Sequence, residues 1–82
     1  MARYFFHTEG TDPFTDREGS ELPDLRSAME EAALLHAELL KGQAALWDAR
    51  QFAVTVADES GLVLGRIETV AIPGNAAGGA VS

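Results

Sequence analysis

The segment Gly19-Ser20-Glu21-Leu22-Pro23-Asp24-Leu25 separates two kinds of sequence pattern. Short apolar runs with turn residues, typical of strands, precede it, and an uninterrupted helical period follows it. Proline suits the first turn of a helix because its missing N–H has no partner there, and Asp24 or Ser20 can cap the free amides. The segment therefore predicts a strand-to-helix switch, with a helix that begins near Pro23 and ends near Gly42.

The predicted helix is amphipathic when its residues are placed at the helical period. Its apolar face consists of Leu25, Ala28, Met29, Ala32, Leu35, His36, Leu39 and Leu40. Its polar face consists of Arg26, Ser27, Glu30, Glu31, Glu38 and Lys41. Leu34 is the exception, since it is apolar and falls on the polar face. The small side chains of Ala28 and Ala32 predict a close approach of the helix to a sheet.

Strand patterns lie on both sides of this helix. Aromatic residues at 3–8 predict a central strand that carries an aromatic side chain on each face. A short second strand is expected over 14–16, continuing irregularly toward Leu22, with Gly19 supplying a bulge or a positive φ. Residues 51–57 and 62–69 predict a hairpin, whose connector at 58–61 places Gly61 where short loops need a left-handed residue.

The predicted order is strand, strand, helix, strand, strand, and a single helix covers only one face of four strands. We therefore predict an α+β fold, a two-layer sandwich with one amphipathic helix on a mostly antiparallel four-stranded sheet. Residues 43–50 either extend the helix or form a loop in which Leu46 and Trp47 fold back on the core, and the loop is favoured. Residues 1–72 are expected to form the single domain, and the Gly- and Ala-rich residues 73–82 a disordered tail.

The composition disfavours several classes of partner. Six Lys and Arg against thirteen Asp and Glu give a net charge of −7, which opposes binding to phosphate backbones and to anionic membranes. The chain has no cysteine, which excludes disulfides and thiolate metal sites. Neither a signal peptide nor a membrane-spanning run is recognisable. These features predict a soluble cytoplasmic protein that binds neither nucleic acid nor membrane.

No set of residues has the spacing of a catalytic, cofactor or metal site. His36 lies on the apolar helix face, where a histidine bonded to backbone or to a neighbouring tyrosine is the expected structure, and His7 is expected at the boundary of the sheet. A metal site that joins both histidines with Asp16 or Glu21 is disfavoured, because nothing in the spacing makes the ligands converge. The acidic residues between 12 and 24 also lack the register of a calcium loop.

Three stretches resemble the DUF6894-type family of small bacterial proteins, whose function is unassigned. They are the opening Arg3-Tyr4-Phe5-Phe6-His7, the centre from Asp16 to Leu25 with Ala28 and Glu31-Ala32, and the hairpin from Val54 to Leu64. The order and spacing of the three carry the resemblance, which spans residues 3–68. The resemblance implies a bacterial source and supplies no catalytic residue.

The leading hypothesis for function is a non-enzymatic protein-interaction module that forms a homodimer or joins another protein. It depends on the expectation that the uncovered face of the sheet carries Phe5 and part of the Val63/Ile67 or Leu62/Leu64 set, since large exposed apolar faces usually have a partner. Open sheet edges and Leu34 are further interaction signals. The alternative is a small-ligand-binding or accessory regulatory domain, with a pocket between helix and sheet around His36 and Trp47.

Overall fold

A computed structural model describes residues 1–10, 12–42 and 51–72 of the chain. Four strands and one helix follow one another in the predicted order. They are β1 (Ala2–Glu9), β2 (Ser20–Leu22), α1 (Leu25–Leu40), β3 (Gln51–Ala57) and β4 (Val63–Val70). The α+β class is confirmed. The expectations for residues 43–50, including Leu46 and Trp47, and for residues 73–82 lie outside the described residues.

The four strands form one antiparallel sheet in the order β2-β1-β3-β4. β1 lies between two neighbours, as the aromatic side chains on both of its faces predicted. Opposed residues share a face, so the pairs Phe6–Val56 and Thr8–Val54 point toward the helix, together with Phe52. All five are buried, and they form the sheet side of the core.

α1 begins at the segment that predicted it, with Asp24 as the N-cap. The Asp24 Oδ1 accepts a hydrogen bond from the Ser27 amide at 2.8 Å, which leaves Ser20 free to be a strand residue. Pro23 precedes the cap and lies just outside the helix, so the expectation that the helix begins near it is correct to within two residues. At the other end, the Gly42 amide donates to the Leu39 carbonyl at 3.0 Å.

The predicted close approach of helix and sheet is confirmed, since Ala28 and Ala32 are both fully buried. On the facing surface of the sheet, Gly65 of β4 is also small and leaves space for the Met29 side chain of the helix. A Cβ atom at Gly65 would lie 2.9 Å from the Met29 Cε, closer than the two atoms can pack. Partly buried residues complete the core around this contact, namely Leu22, Met29, Leu35, Leu39, Leu40, Leu64 and Ile67.

The second strand differs from its prediction. Phe14 forms only an isolated bridge with Thr8, and β2 does not begin until Ser20. Between them, the Asp16 carboxylate accepts a hydrogen bond from the Phe6 amide at 3.1 Å, where a continuous strand would have provided a backbone carbonyl. The alternation of apolar and polar residues does not predict a side chain that replaces a backbone hydrogen bond of the sheet.

The side chains of β4 do not alternate regularly along its whole length, because the strand contains a register shift. Ala57 pairs with Val63 while Val56 pairs with Gly65, so Leu64 is an extra residue. Leu64 consequently packs against the core and does not share the outer face with Arg66. Gly61 in the preceding turn has the predicted positive φ, 89°.

The outer face of the sheet carries Phe5 and Val63, two of the residues expected there. Both are register partners of Ala57, so Phe5, Ala57 and Val63 form one apolar row across β1, β3 and β4. Charged and polar side chains occupy much of the rest of this face, namely Arg3, His7, Glu9, Glu21, Thr55, Arg66 and Glu68. Leu34 on the helix is exposed as predicted.

Among residues 1–10, 12–42 and 51–72, no helix combines the length and the apolar character needed to cross a membrane.

Gly19 is a position where a side chain should be costly. Its φ is 73°, and an added Cβ would lie 2.9 Å from the Arg3 Cγ, the Phe5 Cε2 and the Tyr4 carbonyl oxygen. We expect Gly19→Ala to lower the free energy of unfolding by about 2 kcal/mol, measured by urea denaturation. Gly42→Ala is the control, because its nearest neighbour would be 3.8 Å away, and equal midpoints for the two variants would contradict this prediction.

Candidate functional site

A groove of about 520 Å³ lies between α1 and the sheet. It exists because α1 packs mainly over β3 and β4 and much less over β1, which leaves the helix-facing side of β1 partly uncovered. Its apolar lining consists of Phe6, Phe14, Leu35, Leu39 and Phe52. Phe14 is 62% exposed, an unusual state for a large aromatic side chain on the wall of a groove. The volume is in the range of small-molecule sites.

The polar lining of the groove is acidic and hydroxylic. It consists of Thr8, Asp12, Asp16, Ser20 and Glu31. No lysine or arginine lies among the described residues that line it, so the groove presents three carboxylates without a cation. Its electrostatic potential therefore favours positively charged groups.

Thr8 is the most buried polar residue of the groove, with 8% of its surface exposed. It lies on the helix-facing side of β1 and contributes a hydroxyl to the lining of the groove. The described side chains include no fully buried polar atom that lacks a partner.

Asp16 organises the loop that forms one wall of the groove. Its Oδ1 accepts hydrogen bonds from the amides of Glu18 and Gly19 at 3.0 and 3.1 Å, and its Oδ2 accepts one from Phe6. Partial burial by itself would raise the pKa of Asp16, but the bonds from Gly19, Phe6 and Glu18 outweigh it and hold that pKa below its usual value. Asp16 is thus an ionised structural carboxylate at neutral pH.

His7 is held by the same loop, on the outer face of the sheet. Its Nδ1 accepts a hydrogen bond from the Asp16 amide at 3.1 Å. The lone pair that a metal would need at this nitrogen is therefore already engaged. His7 is half-buried, in agreement with the predicted boundary position.

His36 is buried on the helix side of the sheet, as expected, but its partner differs from the expected backbone or tyrosine. Its Nε2 lies 3.1 Å from the Thr69 Oγ1, and its ring lies 5.1 Å from that of Phe52. His36 does not line the groove, so the groove is a different place from the pocket expected around His36 and Trp47. Trp47, the other residue expected there, lies outside the described residues.

The four residues considered for a metal site are not brought together. His7 and His36 lie on opposite sides of the sheet, and Glu21 pairs with Arg3 at 3.0 Å. The Asp16 carboxylate is occupied by backbone amides. No group of three or more potential ligands occurs in the described part of the chain.

A polar cluster on the outer face was missed at the sequence level. The Glu9 Oε2 accepts from the Arg66 Nη1 at 2.7 Å and from the Thr55 Oγ1 at 2.9 Å, and Glu68 lies 3.7 Å from Arg66. The hydrogen bond from Arg66, followed by that from Thr55, lowers the pKa of Glu9. Strand alternation alone places these residues on one face, but only the pairing of β1, β3 and β4 brings them into contact.

The sequence was compared with protein families, curated proteins and solved structures. The profile of a family described as "Domain of unknown function (DUF6894)" matches residues 3–71. The chain belongs to this family. The resemblance noted in the sequence is therefore confirmed, and the match covers the helix and all the described strands except Ala2, the first residue of β1. No curated protein and no solved structure matches the chain.

Asp16 should contribute strongly to stability, because its carboxylate accepts hydrogen bonds from three backbone amides. Asp16→Ala leaves three backbone amides without their acceptor, so we expect the free energy of unfolding to fall by about 2–3 kcal/mol. Asp12→Ala, in the same loop, is the control and should change it by less than about 0.5 kcal/mol. Chemical denaturation of both variants makes the comparison, and an Asp16→Ala protein as stable as the Asp12→Ala protein would refute this role.

Proposed function

We propose that this protein is a non-enzymatic interaction module that self-associates through the edge of β4. One observation supports this above the others. β4 is eight residues long and has a neighbour, β3, on one side only among the described residues. The unpaired N–H and C=O groups of such an edge form a template for another strand.

Apolar side chains at both ends of β4 support the same proposal. Val63 and Val70 are 59% and 52% exposed, and the flanking Leu62 and Ile72 are 60% and 78% exposed. A second strand beside β4 would cover part of this surface. The edge at the opposite side of the sheet, β2, has only three residues and offers a much shorter ladder.

Symmetry and charge select one register for two copies of β4. A two-fold axis perpendicular to the sheet pairs residues that share a face. The axis therefore lies between the two strands, at the level of one residue that is opposite its own copy. An axis at Arg66 or at Glu68 would place like charges opposite each other. An axis at Ile67 places Arg66 opposite Glu68 of the second copy, twice.

The polar groups considered for a metal site also fit a non-enzymatic role. Asp16, His7 and His36 each have hydrogen bonds within the fold, and these bonds give each of them a structural role. The expected dimer is weak, because pairing of two short strands buries less than the roughly 1,200 Å² of a typical stable interface. Association should therefore depend on concentration in the micromolar range.

Cross-linking tests the dimer and its register, since the chain has no cysteine. We expect a mixture of Arg66→Cys and Glu68→Cys proteins to form a disulfide-linked dimer under mild oxidation, because only this pair is opposed. Each variant alone should remain monomeric on non-reducing gels. Ser60→Cys, in the turn before β4, is the control and should not cross-link.

The other outcomes separate the register from the proposal itself. Cross-linking of Arg66→Cys alone or of Glu68→Cys alone would assign a different axis while keeping the β4 dimer. A wild-type protein that sediments as a monomer up to millimolar concentration would overturn self-association.

A second candidate function is binding of a small ligand, and the groove between α1 and β1 favours it. Exposed Phe14 and buried Phe6 and Phe52 offer an apolar surface that a ligand would cover. This candidate retains the pocket between helix and sheet and moves it away from His36.

A neutral apolar probe tests this candidate. We expect 1-hexanol to shift the ¹H–¹⁵N resonances of Thr8, Phe14 and Ser20, and Phe14→Ala to weaken its binding because the ligand loses apolar contact. Leu34→Ala removes an exposed leucine from the helix surface outside the groove and should leave binding unchanged. Resonances that do not move at saturating hexanol would exclude the groove as a ligand site.

A further inference from the structure

We propose that the groove between α1 and β1 binds a small amphipathic cation, in which an apolar alkyl or aryl group carries an ammonium group. This inference rests on the second candidate function, that the groove is a ligand site. It adds the chemical class of the ligand.

The charges of the groove indicate a cation. Asp12 and Glu31 are exposed, and neither forms an ion pair with a described residue, in contrast to the other helix carboxylates Glu30 and Glu38, which pair with Arg26 and Lys41. Within the part of the chain that the structure describes, both carboxylates can accept hydrogen bonds from an ammonium group.

Asp16 adds negative charge without direct contact. Its oxygens are engaged by the amides of Phe6, Glu18 and Gly19, so its charge is fixed at the wall of the groove. A fixed charge in a concave, partly apolar site acts over a longer range than one in open water.

Thr8 places a hydroxyl on the lining of the groove. The residue is more than nine-tenths buried, so its side chain has a fixed position there. A ligand N–H could donate a hydrogen bond to this hydroxyl. The surrounding Phe6 and Phe52 are also buried, which places this hydroxyl beside the apolar part of the groove.

The size of the groove favours a small molecule over a protein segment. Its volume of about 520 Å³ lies within the roughly 300–1,000 Å³ of small-molecule sites. The net charge of −7 would also raise the local concentration of any cationic ligand.

Three probes with the same six-carbon chain test the proposal, namely hexylammonium, 1-hexanol and hexanoate. Their titration is followed through the ¹H–¹⁵N resonances of Thr8, Phe14 and Ser20. We expect hexylammonium to bind about two- to fivefold more tightly than hexanol for each carboxylate that it contacts, and hexanoate to bind least. Added salt should weaken hexylammonium and leave hexanol unchanged.

Matched variants separate charge from structure. Glu31→Gln should weaken hexylammonium about two- to fivefold without affecting hexanol, whereas Glu59→Gln, in the β3–β4 turn, removes the same charge away from the groove and should affect neither probe. Thr8→Val keeps the shape of the side chain, removes the hydroxyl and should weaken hexylammonium.

Each remaining outcome has a defined meaning. Equal affinities for hexylammonium and hexanol, insensitive to Glu31→Gln, would overturn the cation while keeping the groove as a ligand site. Tighter binding of hexanoate would also overturn it. Failure of all three probes to bind would remove the ligand site and the inference together, and tighter binding of a short Lys-containing peptide than of hexylammonium would replace the small molecule by a protein partner.

Discussion

The close packing of α1 on one half of the sheet is the contact on which the rest of the structure depends. Ala28 and Ala32 are fully buried, and Gly65 leaves room for Met29. Small residues at a helix–sheet interface allow the two surfaces to approach until most of the intervening space is filled. Because the helix lies over β3 and β4, the same contact that closes the core on one side leaves a groove beside β1.

Asp16 stabilises the region that the helix does not cover. The loop between β1 and β2 is too irregular to continue the backbone hydrogen bonds of the sheet. The Asp16 carboxylate instead accepts hydrogen bonds from amides of both the strand and the loop. A carboxylate with several amide donors is a strong, charge-assisted acceptor. The loop that carries Phe14 thereby acquires a defined position, which a longer second strand would have given by pairing.

Three surfaces of the sheet are left uncovered by the single helix, namely the outer face, the edge of β4 and the groove beside β1. They differ in their polar groups. The outer face of the sheet carries the cluster of Glu9, Thr55, Arg66 and Glu68 beside the apolar row of Phe5, Ala57 and Val63. The edge of β4 and the groove remain, and they differ in chemistry. The edge offers the backbone ladder on which the proposed dimer depends, whereas the groove offers apolar walls and three carboxylates.

The sequence by itself determined the helix, the strands β1, β3 and β4, the order of the elements and the fold class, but not the position of β2. Helical spacing of small and apolar residues, the Asp24 cap and the 58–61 turn are local features, and local features are encoded within a few positions of the chain. Tertiary structure decided the lateral position of α1, the extra residue Leu64, the ladder-replacing role of Asp16 and the partners of His36 and Arg66. These features depend on strand pairing and on contacts between residues far apart in the chain, which sequence periodicity does not report. The groove follows from the lateral position of α1.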